Sequence, residues 1–212
     1  MAKANYRLNT MNNRFLFVIG DSISVYYTPY LKKMLANLMD VKRKGDFPTN
    51  IIQGEPDYDN GGDSRMVLEY LHAQKELLND CVLLLNCGLH DIKTNSDSGE
   101  KQIASDQYSV NLKQITTLIQ PIVQRVIWVN TTPVDDFQHR LLQTEFIRKN
   151  EDVLAYNLIA AQVMAEMNIE TIDLYNFTKS LEGKLYCDHV HFTDSVTQLQ
   201  AAFIAGALHA LL

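Results

Sequence analysis

Cysteine is scarce in this chain of 212 residues, with three in all, at positions 81, 87 and 187. Cys81 and Cys87 fall six residues apart in one apolar run, about 20 Å at ~3.3 Å per residue, so an extended strand keeps them from bonding to each other. An odd count without a framework reads as reduced thiols. Basic clusters are equally rare. The longest, "KRK" at 42–44, reads as a solvated loop, and the net charge of −6 argues against a nucleic-acid partner. Long hydrophobic runs are missing too. Residues 15–19 are too few for the core of a secretory leader, and "AAFIAGALHALL" at the C-terminus is shorter than a membrane span and follows glutamines. A cytoplasmic chain without a membrane span is the expectation. No repeat, low-complexity tract or linker is visible, and 46% hydrophobic with 21% charged residues is an ordinary globular balance. One domain over 1–212 follows, with 1–13 as a short N-terminal arm.

What the chain does contain is alternation. The runs "RFLFVI" (14–19), "CVLLLNC" (81–87), "RVIWVN" (125–130) and "IETIDL" (169–174) are short and mostly apolar, as strands covered on both faces should be. "TNIIQ" (49–53) is a weaker candidate. Between them, apolar residues at i, i+3, i+4 spacing predict helices near 23–39, 62–78, 100–120, 145–167 and 194–212. Thr144 and Thr193-Asp194 mark the starts of the last two. The pattern is that of a three-layer α/β/α sandwich around a mainly parallel sheet. Trp128, inside a strand, belongs to its core.

Ligands in such a sheet bind beyond the carboxyl ends of the strands. The residues there are Gly20-Asp21-Ser22, "DNGGDSR" (59–65), Gly88-Leu89-His90-Asp91, "TTPVDD" (131–136) and "CDHVHF" (187–192). Ser22 has two readings: a helix N-cap, or a nucleophile at the mouth of the sheet. A serine hydroxyl becomes nucleophilic when an imidazole takes its proton and a carboxylate orients that imidazole. Asp188 and His191, three residues apart, can present both side chains on one side. Backbone N–H groups of Ser22 and Gly62, each at a helix start, suit an oxyanion.

The ordered set Gly20-Asp21-Ser22, Gly62, Gly88-x-x-Asp91 and Asp188-x-x-His191 resembles the SGNH (GDSL-type) hydrolase superfamily, and its blocks span residues 17 to 192. The resemblance implies a flavodoxin-like sheet of strand order 2-1-3-4-5 and an esterase-type serine mechanism with neither metal nor cofactor. It implies Ser22 as nucleophile, His191 as general base, Asp188 as its orienting carboxylate, and Gly62 as an oxyanion donor. The implied substrate is a small-molecule acyl ester, with a short acyl group on a carbohydrate or other small alcohol. One block departs: His90 stands where the family carries an asparagine. A neutral imidazole can donate one N–H in its place. Asn86, upstream on the strand, is the alternative donor, and an imidazolium at 90 would make activity depend on two histidines.

Other residues carry competing readings. Arg65 faces the cleft as a substrate-binding group or solvent in a salt bridge. Asp135, Asp136, His139 and Arg140 line the cleft or form a plain polar connector; Asp135 and His139 are the substrate-binding candidates. Asp21 and Asp91 fix their turns through nearby backbone. Cys187, Asp188, His189 and His191 form a compact ligand set, but zinc needs donors converging from more than one short segment, and His189 is then a rim residue.

Overall fold

The computed structural model describes residues 15–46, 59–143 and 145–212. Five strands form one parallel sheet: β1 (Phe15–Ile19), β2 (Asp40–Arg43), β3 (Val82–Leu85), β5 (Arg125–Val129) and β7 (Glu170–Ile172), in the order β2-β1-β3-β5-β7. Counting these strands alone, the order is 2-1-3-4-5, as expected. Two further strands, β4 (Thr94–Asn95) and β6 (Phe146–Ile147), pair antiparallel as a separate ribbon. The helices are α1 (Ser22–Leu35), α2 (Ser64–Gln74), α3 (Ser105–Ile119), α4 (Asp136–Leu142), α5 (Asn150–Glu166), α6 (Leu174–Lys179) and α7 (Asp194–Leu211).

The central strands need no polar face because helices cover both sides of the sheet. All four residues of β3 are buried, as are the last four of β1 and of β5. Helix α1 packs on α7, which also meets α6; α2 packs on α3, and α3 on α5. Each long helix buries one stripe. In α5 this is Val153, Tyr156, Asn157, Ala160, Val163 and Met164. The apolar C-terminus is α7, its buried side toward α1, and no described helix is long and apolar enough to cross a membrane. Trp128 is fully buried in the core. The parallel registers Ile19↔Leu85, Leu85↔Trp128 and Val129↔Ile172 set the strand ends along one rim.

The structure corrects several sequence expectations. The position beside β1 belongs to Asp40–Arg43, whereas the candidate strand 49–53 lies outside the described residues. "KRK" is accordingly not a solvated loop. Val41 and Arg43 point inward, and Arg43 is buried because its guanidinium finds partners. It donates to Ser24 O (3.1 Å), Thr28 Oγ1 (2.9 Å) and Asp59 O (2.6 Å), tying α1 to the loop at 59. Helix α5 starts at Asn150 instead of 145, because Phe146–Ile147 pairs with Thr94–Asn95; Thr144 lies outside the described residues. Helix α3 starts at Ser105 instead of 100, after a turn closed by the Asn95 side chain on the N–H groups of Asp97 and Ser98. The short helices α4 and α6 carry no long apolar period and were not anticipated.

Arg43→Met keeps the bulk of the stem and removes the donors, so it lowers the unfolding free energy by about 3 kcal/mol in urea titration, the scale of breaking a buried charged network. A change below ~0.5 kcal/mol, the scale of an ordinary surface substitution, would mean that the guanidinium holds nothing together.

Candidate active site

Strand β1 ends at Ile19, and Gly20-Asp21 turns the chain into α1. The turn is tight: a Cβ on Gly20 would lie 2.9 Å from the Ser24 side chain. Its carbonyl accepts the N–H of Gly61 at 2.8 Å, which brings the second glycine loop against the first. Asp21 takes the N-cap role, its Oδ1 accepting the N–H of Ile23 at 2.9 Å. Ser22 is therefore the first residue of the helix and its hydroxyl is released from capping.

That hydroxyl meets His191. Ser22 Oγ lies 2.8 Å from His191 Nε2, and His191 Nδ1 lies 2.6 Å from Asp188 Oδ2. The other oxygen, Asp188 Oδ1, accepts the N–H groups of Val190 (2.8 Å) and His191 (2.7 Å), closing the loop. Partial burial works to raise the Asp188 pKa, but the His191 and Val190 N–H groups and the His191 ring outweigh it and hold the carboxyl down at about 2. An ionised carboxylate at Nδ1 selects the tautomer with the proton there, leaving Nε2 to accept from Ser22. Tyr26, one turn into α1, stands edge-on to the His191 ring with centroids 5.0 Å apart. Helix α4 braces the loop from behind: Gln138 Nε2 donates to Asp188 O, and His139 Nδ1 lies 3.4 Å from His189 O.

The oxyanion candidates are less simply placed. Ser22 N–H lies at the open start of α1. Gly62 has φ +72°, a conformation that suits glycine, and its N–H donates to Asn60 Oδ1 at 2.9 Å. Asn86 donates its amide to Val129 O at 2.8 Å. His90 is mostly buried. Desolvation first, then the charges of Lys93, Arg148 and His191, push its pKa down to about 3. The ring at 90 is thus neutral near neutral pH, and the imidazolium that would couple the site to a second histidine does not form there.

The three substrate-binding candidates have other partners. Arg65 sits on the surface of α2, pairing with Glu69 at 3.2 Å and Asp63 at 3.7 Å. Asp135 is the N-cap of α4, accepting the N–H of Gln138 at 2.8 Å. His139 is fully buried between the carbonyls of His189 and Phe146 and supports the loop from beneath. Asp21 fixes its own turn as expected. Asp91 does not: its carboxylate reaches 27 residues back to accept Ser64 N at 2.9 and 3.1 Å, joining α2 to the loop after β3. The "CDHVH" set does not converge. Asp188 and His191 face each other, and Cys187 Sγ turns to the carbonyls of His191 (3.5 Å) and Phe192 (3.3 Å). Among the described residues no group of three or more His, Cys, Asp or Glu is arranged to hold a metal. His189 is half-buried at the edge. Sequence reading missed Gln138, Tyr26 and the buried Arg148. Tyr26, four residues after Ser22, was open to detection by helical spacing; Arg148, in the charged stretch "IRKNED", gave no signal.

His90 supplies a pH test. Its pKa is lower in the folded chain than the ordinary 6.5, so the unfolded chain binds the extra proton and stability falls as pH drops from about 6.5 toward 3. His90→Asn removes that share of the loss, so the stability gap between pH 7 and pH 5 narrows in urea titration while the shape of any activity profile above pH 5 stays that of the wild type. An unchanged gap would place the His90 pKa near its ordinary value.

No family model matches the sequence, and no curated protein matches it. Solved structures do match. A lipase/acylhydrolase from Enterococcus faecalis aligns with a TM-score of 0.69 at 20% identity, over 94% of this chain and 97% of that one. A GDSL-like lipase from Bacteroides thetaiotaomicron aligns at 0.66 and 17%, over 94% and 89%. An acetylxylan esterase from Geobacillus stearothermophilus aligns at 0.64 and 16%, over 91% and 93%. At these identities the likeness is one of fold: nearly the whole described chain has the α/β/α architecture of GDSL-like lipases and acylhydrolases.

Proposed function

We propose that this protein is a serine esterase of the SGNH type. The observation that carries the reading is the continuous hydrogen-bond relay from Asp188 through His191 to Ser22, with contacts of 2.6 and 2.8 Å. The fold shared with lipases and esterases supports it. Ser22 Oγ bonds to the acyl carbon of the ester while its proton passes to His191 Nε2. The tetrahedral intermediate collapses, the alcohol leaves with the proton from Nε2, and the acyl group stays on Ser22. Water then loses a proton to Nε2, attacks the acyl carbon, and the acid leaves as Oγ regains its proton. Asp188 stabilises the imidazolium at each half-step. The oxyanion faces the N–H of Ser22 and the His90 ring, and the N–H of Gly62 joins them once it leaves Asn60 Oδ1. The substrate class is a short acyl ester, acetyl foremost, of a carbohydrate or other small alcohol; transfer to another alcohol uses the same steps.

A second reading, a ligand-binding module on the same fold, draws on one observation: Gly62 N–H turns to Asn60 instead of outward. Intact mass after fluorophosphonate exposure separates the two. The esterase gives a single adduct on the wild type that is absent from Ser22→Ala; no adduct on folded wild type favours the binding module.

Within the esterase reading, His191→Ala lowers kcat on p-nitrophenyl acetate by about 10³-fold or more with an unchanged melting curve. Asp188→Asn falls by a similar order because the ring loses its tautomer control. Near-wild-type turnover in either variant rejects the triad assignment.

A further inference from the structure

Arg148 is a buried charge that the relay does not use. The residue is 3% exposed. Its Nε donates to Leu89 O at 2.7 Å, and its guanidinium lies over the Phe146 ring, 4.8 Å from the centroid. Among the described residues neither Nη nitrogen has a hydrogen-bond partner, and no carboxylate pairs with the group. Arg43, also buried, shows how a structural guanidinium is satisfied in this chain, with both its Nη atoms on carbonyl or hydroxyl oxygens. A buried cation with no carboxylate bonded to it is costly, and a ligand anion is a natural completion of such a site.

The location bears on the reaction. Leu89 directly precedes His90, and the Phe146 ring beneath the guanidinium also contacts His139 (5.8 Å) and His189 (6.3 Å), so Arg148 stands between the loop at 88–91 and the loop at 188–191. Its charge acts on both Asp21 and Asp188, the carboxylates that adjoin Ser22 and orient His191, while it bonds to neither. Burial pulls its pKa down to about 10, which leaves it cationic at neutral pH. Donors are otherwise short at this end of the sheet, because Gly62 N–H is taken by Asn60 and the Asn86 amide by Val129 O. Of the five N–H donors of a guanidinium, the Nε–H is occupied and the Nη hydrogens remain open.

We infer that Arg148 is the anion-recognition group of this cleft and receives an anionic oxygen of the bound ester through its open Nη face. The inference rests on the esterase reading. That oxygen has two sources, the oxyanion on the acyl carbon or a carboxylate carried by the substrate.

Binding is tested without turnover. Succinate is titrated by calorimetry into Ser22→Ala protein and into the Ser22→Ala/Arg148→Gln double variant. The expected result is binding by the first and at least a tenfold loss in the second, with Arg148→Lys intermediate; circular dichroism establishes folding, and Arg148→Lys replaces Arg148→Gln if the latter does not fold. Equal binding by the two proteins overturns the inference, and no succinate binding by the parent rejects the substrate carboxylate as the source, so that the kinetics then decide on the oxyanion alone. Kinetics then separate the sources, using p-nitrophenyl acetate and mono-p-nitrophenyl succinate with wild type and Arg148→Gln. A tenfold or greater loss of kcat on both esters assigns the oxyanion. A loss confined to the succinate ester, through KM, assigns the substrate carboxylate. Unchanged constants on both esters overturn the inference. A wild type that hydrolyses neither ester and takes no fluorophosphonate instead rejects the esterase reading, while the succinate titration still reports on Arg148.

Discussion

The Asp188 carboxylate divides its two oxygens between the backbone and the His191 ring, and the arrangement of the site depends on that division. One oxygen closes the loop by accepting the N–H groups of Val190 and His191; the other holds the His191 ring. A single group therefore shapes the loop, selects the tautomer and aims Nε2 at Ser22, which is 169 residues away in sequence. A carboxyl held down at about 2 by these bonds stays ionised at moderate acidity and keeps both sets of contacts. Helix α4 completes it from outside through Gln138 on the Asp188 carbonyl and His139 against that of His189.

The opposite side of the rim rests on a second polar network, buried more deeply. Asp63 caps α2 through Met66 N–H and accepts from Gln102 at 2.7 Å, while Asp91 receives Ser64 N–H. Burial drives the Asp91 pKa up to about 6 against the pull of the Ser64 hydrogen bonds, with the nearby Asp63 charge adding to the rise. Two buried carboxyl groups this close are tolerable because each is hydrogen-bonded to a fixed partner. Their effect is positional. They set the start of α2, and with it Gly62, against the loop carrying His90. Arg43 does the same for residue 59 from the other end of that loop.

Ser22, Asp188 and His191 were legible because each lies in a short motif at a strand end, where a parallel sheet leaves its loops open to ligands. The departure at His90 was equally visible, but its charge state was not: neutrality down to about pH 3 comes from burial and from surrounding cations. Arg65, Asp135 and His139 show the limit from the other side. Polar residues near a rim can bind a ligand, cap a helix or brace a loop, and here a salt bridge, the α4 cap and two backbone carbonyls have claimed them. The start of α5 was misplaced because the apolar spacing from 145 onward fits a helix, and only pairing with Thr94–Asn95 makes Phe146–Ile147 a strand.

The amino-acid sequence by itself determined the layered α/β/α architecture, the strand order implied by its motifs, and the three residues that meet in the relay, since apolar period and motif position are local properties. Tertiary structure decided which charged side chains are buried and what they touch. Arg43 was read with its neighbours as solvated and Arg148 gave no signal, yet one is enclosed by carbonyl and hydroxyl oxygens and the other is buried with its Nε on the carbonyl of Leu89. The difference is physical: the environment of a buried guanidinium is made by groups tens of residues away, and no local pattern records which of them arrive.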